Sequence, residues 1–272
     1  MEIGLATLGF KDLTNDEMAA LAAEEGLDCV QLFLAQKDSN YFVYNKRADV
    51  TGLSADECKR IAEAYRGKGI DVHSLGVYTN LMEPDDAERE QNIAYFLEMM
   101  RVATDMGVNM LATECGKVVT DGKKDLNASL ADEAYPVVVE STKRLIGPAE
   151  EHGITIVFEP FFHDLLATAK ATRDFIEEID HPRIRVQLDP ANLLPHNDLD
   201  EMFNALNPYI KALHAKDRKL HVSAGVAAGE GDVDYAKFVA LSKVYCPDIP
   251  LIIEYVNQKN YKQALKHLRS YL

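Results

Sequence analysis

The feature that most constrains the fold is a regular alternation of short β-type runs and longer helix-type runs along the whole chain. Such alternation is typical of βα units that close a parallel sheet. Eight strands are predicted, at residues 3–8, 29–34, 71–77, 110–114, 155–159, 185–189, 210–215 and 251–256. Apolar periodicity predicts eight helices, at residues 16–25, 55–68, 87–106, 135–151, 169–179, 199–206, 235–245 and 261–271.

The joins between these elements differ at the two ends of the sheet. Each helix-to-strand join that contains Gly26, Gly69, Gly107 or Gly153 is short, and the glycine stands where a helix ends in a left-handed residue. The strand-to-helix joins at residues 35–53, 115–129, 161–167 and 216–232 are long and polar. This asymmetry predicts an α/β protein with one domain over residues 1–272, a (β/α)8 barrel whose site lies at the C-terminal ends of the strands.

An open, doubly wound sheet is the alternative arrangement of βα units. Its dinucleotide-binding form carries G-x-G-x-x-G after the first strand, whereas this chain reads Thr7-Leu8-Gly9-Phe10 there. The barrel is therefore favoured. With 272 residues, of which 47% are hydrophobic, the chain is long enough to bury a core without disulfides.

The charge balance narrows the class of partner. Lys and Arg number 29 and Asp and Glu 44, so the formal net charge is −15. This charge repels phosphate backbones and anionic membranes, so we expect neither nucleic acid nor a membrane as partner. The four cysteines form no C-x-x-C pair, and no segment resembles a signal peptide or an apolar span of roughly 20 residues, so a cytoplasmic location is expected.

Four consecutive predicted strands, the fifth to the eighth, end in residue types that bind metals. These residues are Glu159, Asp189, His214 and Glu254. Taken singly, a strand-end carboxylate is more often a helix cap or surface ion pair, and a strand histidine is more often a hydrogen-bonded core residue. In a barrel these ends converge, and several buried carboxylates need a cation. The set predicts one divalent ion, with Mn²⁺ the first expectation and Mg²⁺, Co²⁺ or Zn²⁺ as alternatives.

At these strand ends the chain resembles the sugar phosphate isomerase/epimerase superfamily of xylose isomerase-like TIM barrels, which includes ketose 3-epimerases, hydroxypyruvate isomerase and inosose dehydratase. The resemblance covers nearly the whole chain. It implies that Glu159, Asp189, His214 and Glu254 bind one divalent metal. It also implies that Glu159 and Glu254 are the acid/base pair of an isomerase or epimerase that works through a cis-enediolate intermediate. The motifs that carry it are Phe158-Glu159-Pro160, Leu188-Asp189-Pro190-Ala191-Asn192, His214-Ala215-Lys216-Asp217, Ile253-Glu254, Gly229-Glu230-Gly231-Asp232-Val233-Asp234-Tyr235 and Thr79-Asn80-Leu81.

Five further residues are predicted to contact the substrate: His73, Glu114, Asn192, Lys216 and Arg218. For His73 the alternative is a buried structural histidine, and for Glu114 a carboxylate that fixes a loop. Lys216 and Arg218 flank Asp217, so an ion pair with that residue is their alternative.

Two other features allow more than one interpretation of the substrate pocket. Asn192 stands where many relatives place a substrate-binding histidine, which either changes how substrate oxygens are held or signals a different reaction. The aromatic segment at residues 41–45 either walls the substrate pocket or packs against another subunit.

Three other functions remain open at this point. A metal-dependent lyase, acting on a keto-inositol or an oxidised sugar, begins with the same enolisation and ends in β-elimination. An apurinic-site endonuclease-like hydrolase implies a three-metal cluster rich in histidine, which Asn192 and the net charge of −15 disfavour. A silent sugar-binding protein is disfavoured because all four ligand positions are intact. The expected substrate is a small sugar or polyol, and by analogy with relatives a homo-oligomer, a dimer or tetramer, is expected.

Overall fold

The computed structural model describes residues 1–222 and 224–272. Its eight barrel strands, β1 to β8, are Ile3–Ala6, Cys29–Leu32, Asp71–Gly76, Met110–Thr113, Thr155–Phe158, Ile184–Leu188, Ile210–Arg218 and Leu251–Ile253. Neighbouring strands are parallel and follow sequence order, β8 pairs with both β1 and β7, and β7 also pairs with β6. The sheet is therefore closed, and the predicted (β/α)8 barrel is confirmed.

The outer layer consists of helices that pack their apolar faces on the barrel and enclose the main hydrophobic core. Most begin at a side chain that caps the first turn, such as Thr14, Ser54, Asp85 and Asp198. In the described part of the chain no helix is both long and apolar enough to cross a membrane. The helices α1 to α8 are Asn15–Glu24, Ala55–Arg66, Asp86–Met106, Ala134–Glu151, Ala169–Ile179, Leu199–Leu206, Tyr235–Tyr245 and Tyr261–Arg269.

The helix-to-strand joins confirm the expectation for their glycines. Gly26, Gly69, Gly107 and Gly153 all adopt positive φ angles, between 62° and 78°. A side chain with a Cβ adopts this conformation at a steric cost, so glycine allows each helix to end sharply before the next strand. The short joins hold the strands in register at the N-terminal end of the barrel.

The long strand-to-helix joins contain structure that the sequence did not predict. Small hairpins pair Ala35–Gln36 with Ser39–Asn40 and Val119–Thr120 with Lys123–Lys124. Strand β7 continues beyond the predicted residue 215 to Arg218, because its end pairs antiparallel with Gly225–Ala227. These additions build up the C-terminal rim of the barrel.

The barrel interior changes from apolar to polar along the strands. Ala112, Val157 and Ala212 form a small buried cluster inside the barrel. Because side chains alternate along a strand, the next inward positions on β5 and β7 belong to Glu159 and His214. The predicted ligands therefore lie one layer above the apolar cluster, toward the C-terminal ends of the strands.

Candidate metal centre

The four predicted metal ligands meet at the C-terminal mouth of the barrel. Glu159, Asp189 and Glu254 directly follow β5, β6 and β8, and His214 lies within β7. One potential ligand atom from each residue lies within 4.8 Å of every other. Three of the side chains are buried and Glu254 is half-buried. This cluster is consistent with a divalent metal site.

Local sequence fixes the orientation of the Asp189 carboxylate. Asp189 caps the short helix Pro190–Leu193, and its Oδ1 accepts a hydrogen bond from the backbone N–H of Ala191 at 2.9 Å. Pro190 suits the first position of this helix because its missing N–H would have had no partner there. The second oxygen, Oδ2, faces the cluster and lies 2.6 Å from Lys216 Nζ.

The Glu159 carboxylate is held by hydrogen bonds on both oxygens. Oε2 accepts from the Tyr78 hydroxyl at 2.7 Å and from Gln187 Nε2 at 2.9 Å. Oε1 accepts from Asn192 Nδ2 at 2.8 Å. Burial is the strongest single influence and disfavours the charged form, but the charge and hydrogen bond of His214 together with Lys216 hold the pKa of Glu159 below its usual value. The carboxylate is therefore ionised and fixed in place.

The positive groups of the cluster lie between the carboxylates. His214 Nδ1 is 3.3 Å from Glu159 Oε1 and 3.5 Å from Glu254 Oε2. Burial alone would lower the pKa of His214, but Glu254 and Glu159 raise it to about 10. Burial works against the charged form of Glu254 as well, yet Lys216 and His214 lower its pKa to about 2. Lys216 Nζ lies 3.3 Å from Glu254 Oε2.

The donor set fits a divalent cation. Three carboxylates face the single ammonium of Lys216, which leaves a net charge of two minus when the imidazole of His214 is neutral. A divalent ion would neutralise this charge, whereas an uncompensated buried charge is costly. Carboxylate oxygens with one imidazole nitrogen are ligands that Mg²⁺, Mn²⁺, Co²⁺ and Zn²⁺ accept.

A cavity of about 520 Å³ opens onto the cluster. Its lining includes an aromatic wall made of Phe33, Phe42, Tyr44 and Tyr78, whose neighbouring ring centroids lie between 5.0 and 6.4 Å apart. Phe42 and Tyr44 belong to the aromatic segment at residues 41–45. The segment thus lines this cavity, and both alternatives for it, a wall of the substrate pocket or a contact with another subunit, stay predictions.

Three of the five predicted substrate residues line the cavity: Glu114, Asn192 and Lys216. Glu114 Oε2 accepts a hydrogen bond from the Tyr44 hydroxyl at 2.5 Å, and burial raises the pKa of Glu114 to about 7. Asn192 donates its Nδ2 to Glu159, while its buried Oδ1 has no hydrogen-bond partner among the described residues. This oxygen is available to accept a hydrogen bond from a ligand.

His73 and Arg218 are not among the described residues that line the cavity. His73 is half-buried in β3, with Nδ1 3.4 Å from Ser74 Oγ. The buried Arg218 donates its Nε to the carbonyl of Ala191 at 2.8 Å, and its guanidinium lies 4.4 Å from the ring centroid of Phe162. Their roles as substrate contacts stay predictions.

Sequence reasoning missed the residues that hold Glu159 and His214. Gln31 and Gln187 are fully buried and hydrogen-bonded to each other at 2.8 Å. Each interrupts an apolar strand run, which is a recognisable signal because buried positions are seldom polar. Tyr78 follows the end of β3, and no pattern in the sequence marks it as a partner of Glu159.

Comparison with protein families agrees with this geometry. Residues 19–271 match the family described as Xylose isomerase-like TIM barrel. The chain belongs to this family. A comparison with curated proteins gave no match. Membership of the xylose isomerase-like family confirms the predicted resemblance and the barrel type.

Solved xylose isomerase-like barrels share the fold at low sequence identity. D-psicose 3-epimerase from Clostridium cellulolyticum H10, solved with D-tagatose, is 16% identical, with a TM-score of 0.76 over 100% of this chain and 99% of that one. The probable 3-DHS dehydratase AsbF from Bacillus anthracis is 16% identical, with a TM-score of 0.78 over 99% and 98%. A xylose isomerase-like TIM barrel protein from Mycobacterium smegmatis, in complex with magnesium, is 18% identical, with a TM-score of 0.69 over 100% and 97%.

Proposed function

We propose that this protein is a divalent-metal-dependent isomerase or epimerase of a small sugar or polyol. The observation that carries the proposal is the cluster of Glu159, Asp189, His214 and Glu254 beneath a cavity of about 520 Å³. These four residues would hold one ion, with Mn²⁺ the first expectation; the magnesium complex of a similar barrel supports a hard cation. When bound, the ion supplies Lewis acidity that polarises a substrate carbonyl and the neighbouring hydroxyl.

Glu159 and Glu254 carry the proton transfers in this proposal. Both side chains line the cavity, and their lowered pKa values keep them ionised, which is the form that accepts a proton. One carboxylate removes the proton from the carbon next to the carbonyl, which leaves a cis-enediolate. The same or the other carboxyl group then returns a proton to the adjacent carbon or to the opposite face. Lys216 Nζ, 3.3 Å from Glu254 Oε2, lies where it favours negative charge on a substrate oxygen.

The cavity walls suit a polyhydroxylated substrate. The ring faces of Phe33 and Tyr78 offer apolar surface to the C–H groups of a sugar and exclude water from one side of the site. Asn192 Oδ1 is a buried acceptor without a partner among the described residues, so a substrate hydroxyl can donate to it. Glu114 at the same wall accepts a second hydroxyl proton or donates its own, because its pKa is about 7.

A metal-dependent lyase is the second candidate. The likeness to the probable 3-DHS dehydratase, with a TM-score of 0.78, is as close as that to the epimerase, with 0.76. The proton removal is the same, and the protonated glutamate would then assist departure of a substituent on the next carbon. The products, and not the site, separate these two reactions.

Exchange of substrate C–H for deuterium tests the proposal directly. The purified protein is loaded with Mn²⁺ and incubated with a panel of ketoses in D₂O, and NMR follows exchange after the metal has been removed. We expect exchange that requires the metal and is lost in Glu159→Gln and Glu254→Gln, both of which still bind an ion. The exposed Glu151→Gln is the matched control and should exchange as the wild type does.

The outcomes are distinct. Full exchange in either glutamine variant would contradict the assigned acid/base roles, and failure of the wild type to bind any ion would overturn the ligand assignment. An isomer or epimer as product supports the first candidate, whereas loss of water or of an aglycone supports the lyase. One ion per chain excludes a three-metal nuclease. We also propose that the protein is a homo-oligomer, which light scattering of the purified protein tests. Its principal partner in this proposal is a small molecule, which the exchange experiment tests.

A further inference from the structure

Two buried glutamines connect Glu159 to His214 through the barrel interior. Gln187 Nε2 donates to Glu159 Oε2 at 2.9 Å, and Gln31 Nε2 donates to Gln187 Oε1 at 2.8 Å. Gln31 Oε1 lies 2.8 Å from His214 Nε2. On the other side of the imidazole, Nδ1 lies 3.3 Å from Glu159 Oε1, which closes a ring of four side chains. Gln31, Gln187 and His214 have no exposed surface.

The backbone departs from regular pairing beside both glutamines. Between Val30 and Gln31 the register of β2 against β3 shifts, because His73 is an extra residue on β3. Between Val186 and Gln187 the register of β6 against β7 shifts in the same way, with Lys211 as the extra residue on β7. Such bulges redirect side chains and are common next to active sites. The two irregularities lie where the ring of side chains crosses the barrel.

The chemistry of the groups fixes the direction of the hydrogen bonds in the ring. The ionised carboxylate of Glu159 can only accept, so Gln187 must offer its amide nitrogen to Glu159 and its oxygen to Gln31. Gln187 Oε1 can also only accept, so Gln31 offers its nitrogen to Gln187 and its oxygen to His214. Because Gln31 Oε1 is an acceptor as well, His214 Nε2 must carry a proton. The reverse order would place two acceptors against each other at Glu159.

We propose that Gln31 and Gln187 are positioning residues that hold the proton of His214 on Nε2. Nδ1 then keeps its lone pair and is the metal-binding atom. The inference rests on the metal site of the proposed function. A metal-binding histidine commonly donates its other N–H to a partner that fixes the tautomer. In this protein the partner is itself oriented by Glu159, so the charge of one ligand determines which nitrogen of another binds the ion.

The affinity for Zn²⁺, a diamagnetic ion, measures how much the two glutamines contribute to metal binding. Calorimetry compares the wild type with Gln31→Met and Gln187→Met, which keep the length of the side chain and remove its hydrogen bonds. We expect the affinity of both variants to fall 10- to 100-fold, about the loss seen when partners of metal ligands are removed. Gln36→Met is the matched control, because Gln36 is equally buried but bonds to the carbonyl of Thr7 outside the ring. Its affinity should equal that of the wild type.

The tautomer itself provides the readout that a merely structural role would not change. In zinc-loaded protein with ¹⁵N-labelled histidine, the wild type should show His214 with its proton on Nε2 and the metal on Nδ1. Gln187→Met should add a population with the opposite arrangement, although its hydrogen bonds reach Gln31, Tyr78 and Glu159 and not the imidazole. Gln36→Met should show the wild-type spectrum.

The failures of the two proposals are distinguishable. A wild-type spectrum with the metal on Nε2 overturns the positioning role of Gln31 and Gln187 even if neither variant folds, and so does wild-type zinc affinity in Gln31→Met. In both cases the enolisation activity can still be intact. If zinc binds through Nδ1 and both methionine variants bind weakly while no ketose exchanges, the positioning role is supported and the proposed reaction is contradicted. A wild type that binds no ion overturns both.

Discussion

Replacing Lys216 by methionine tests whether a buried ammonium group holds the carboxylate cluster together. Lys216 Nζ lies 2.6 Å from Asp189 Oδ2, and the two side chains are 3% and 0% exposed. Methionine has an unbranched side chain of similar length, so the substitution keeps most of the packing and removes the charge. Asp189 then stays ionised without its nearest cation, or takes up a proton on folding.

The expected cost follows from burial. Removing one partner of a buried ion pair costs about 3–5 kcal/mol, whereas removing one partner of an exposed pair costs about 0–1 kcal/mol. Lys237 offers the matched control, because its Nζ is also 2.6 Å from Asp200 Oδ2 but the side chains are 41% and 54% exposed. Distance to the nearest carboxylate and substitution are thus the same, and the pairs differ in burial and in the second carboxylate, Glu254, that lies 3.3 Å from Lys216 Nζ.

Urea unfolding in the presence of a chelator measures both variants. With a slope of about 3 kcal/mol per molar urea, the midpoint of Lys216→Met should fall by about 1–1.7 M, and that of Lys237→Met by less than about 0.3 M. Excess divalent metal supplies the missing positive charge. At a metal concentration a hundredfold above the wild-type Kd, the ion stabilises the wild type by about 2.7 kcal/mol, and at that same concentration it should stabilise Lys216→Met by more.

Two results would refute this reasoning. Equal midpoint shifts for Lys216→Met and Lys237→Met in chelator would show that burial does not determine how much the ion pair contributes to the free energy of unfolding. A smaller metal response in Lys216→Met than in the wild type would show that the ammonium helps to bind the ion instead of sharing its role.

Two further substitutions test electrostatics and packing away from the ligands. Burial raises the pKa of Asp164 to about 6 from a usual 3.8. The protonated carboxyl group therefore contributes fully to stability below a pH of 3.8, and this contribution is lost as the pH rises through about 6. Relative to the wild type, Asp164→Asn should gain about 2–3 kcal/mol between pH values of about 4 and 8; parallel pH profiles of unfolding would contradict this. A Cβ on Gly9 would lie 1.8 Å from the carbonyl oxygen of Val256, so Gly9→Ala should displace the chain beyond Glu254, cost about 1–3 kcal/mol and weaken metal binding. Gly52→Ala, with open space around the new methyl group, should change stability by less than about 1 kcal/mol in calorimetry, and equal effects of both alanines would count against the packing argument.

The ligand cluster was predictable because it depends on only two properties of the sequence. Glu159, Asp189 and Glu254 each come directly after an apolar run, and a repeated βα pattern places the C-terminal ends of such runs at one rim. No knowledge of side-chain packing is needed for that step. His214 required one more assumption, that β7 alternates regularly from its last residues backward, and the structure agrees because the bulge at Lys211 lies earlier in the strand.

His73 shows why register limits prediction from sequence. Regular alternation along β3 places it toward the barrel mouth, together with the substrate residues. In the structure the pairing with β2 passes from Val72 to Ser74, and His73 is the extra residue of the bulge. A bulge changes which side chains face inward from that point on. Nothing in the local sequence marks this position, so the alternation alone could not locate the side chain.

The same distinction explains why the candidate metal cluster was easier to predict than the cavity above it. The ligands stand on strands, whose positions the closed sheet fixes, whereas the cavity wall is built from strand-to-helix joins. Tyr78 connects the cavity wall with the cluster. Its ring stacks on Phe33 with centroids 5.7 Å apart, and its hydroxyl donates to Glu159 at 2.7 Å. A substrate that displaces this ring also removes a hydrogen bond from a proposed acid/base residue. The side chains that line the cavity therefore lie largely on the joins, which are the least regular part of the sequence and the hardest to predict.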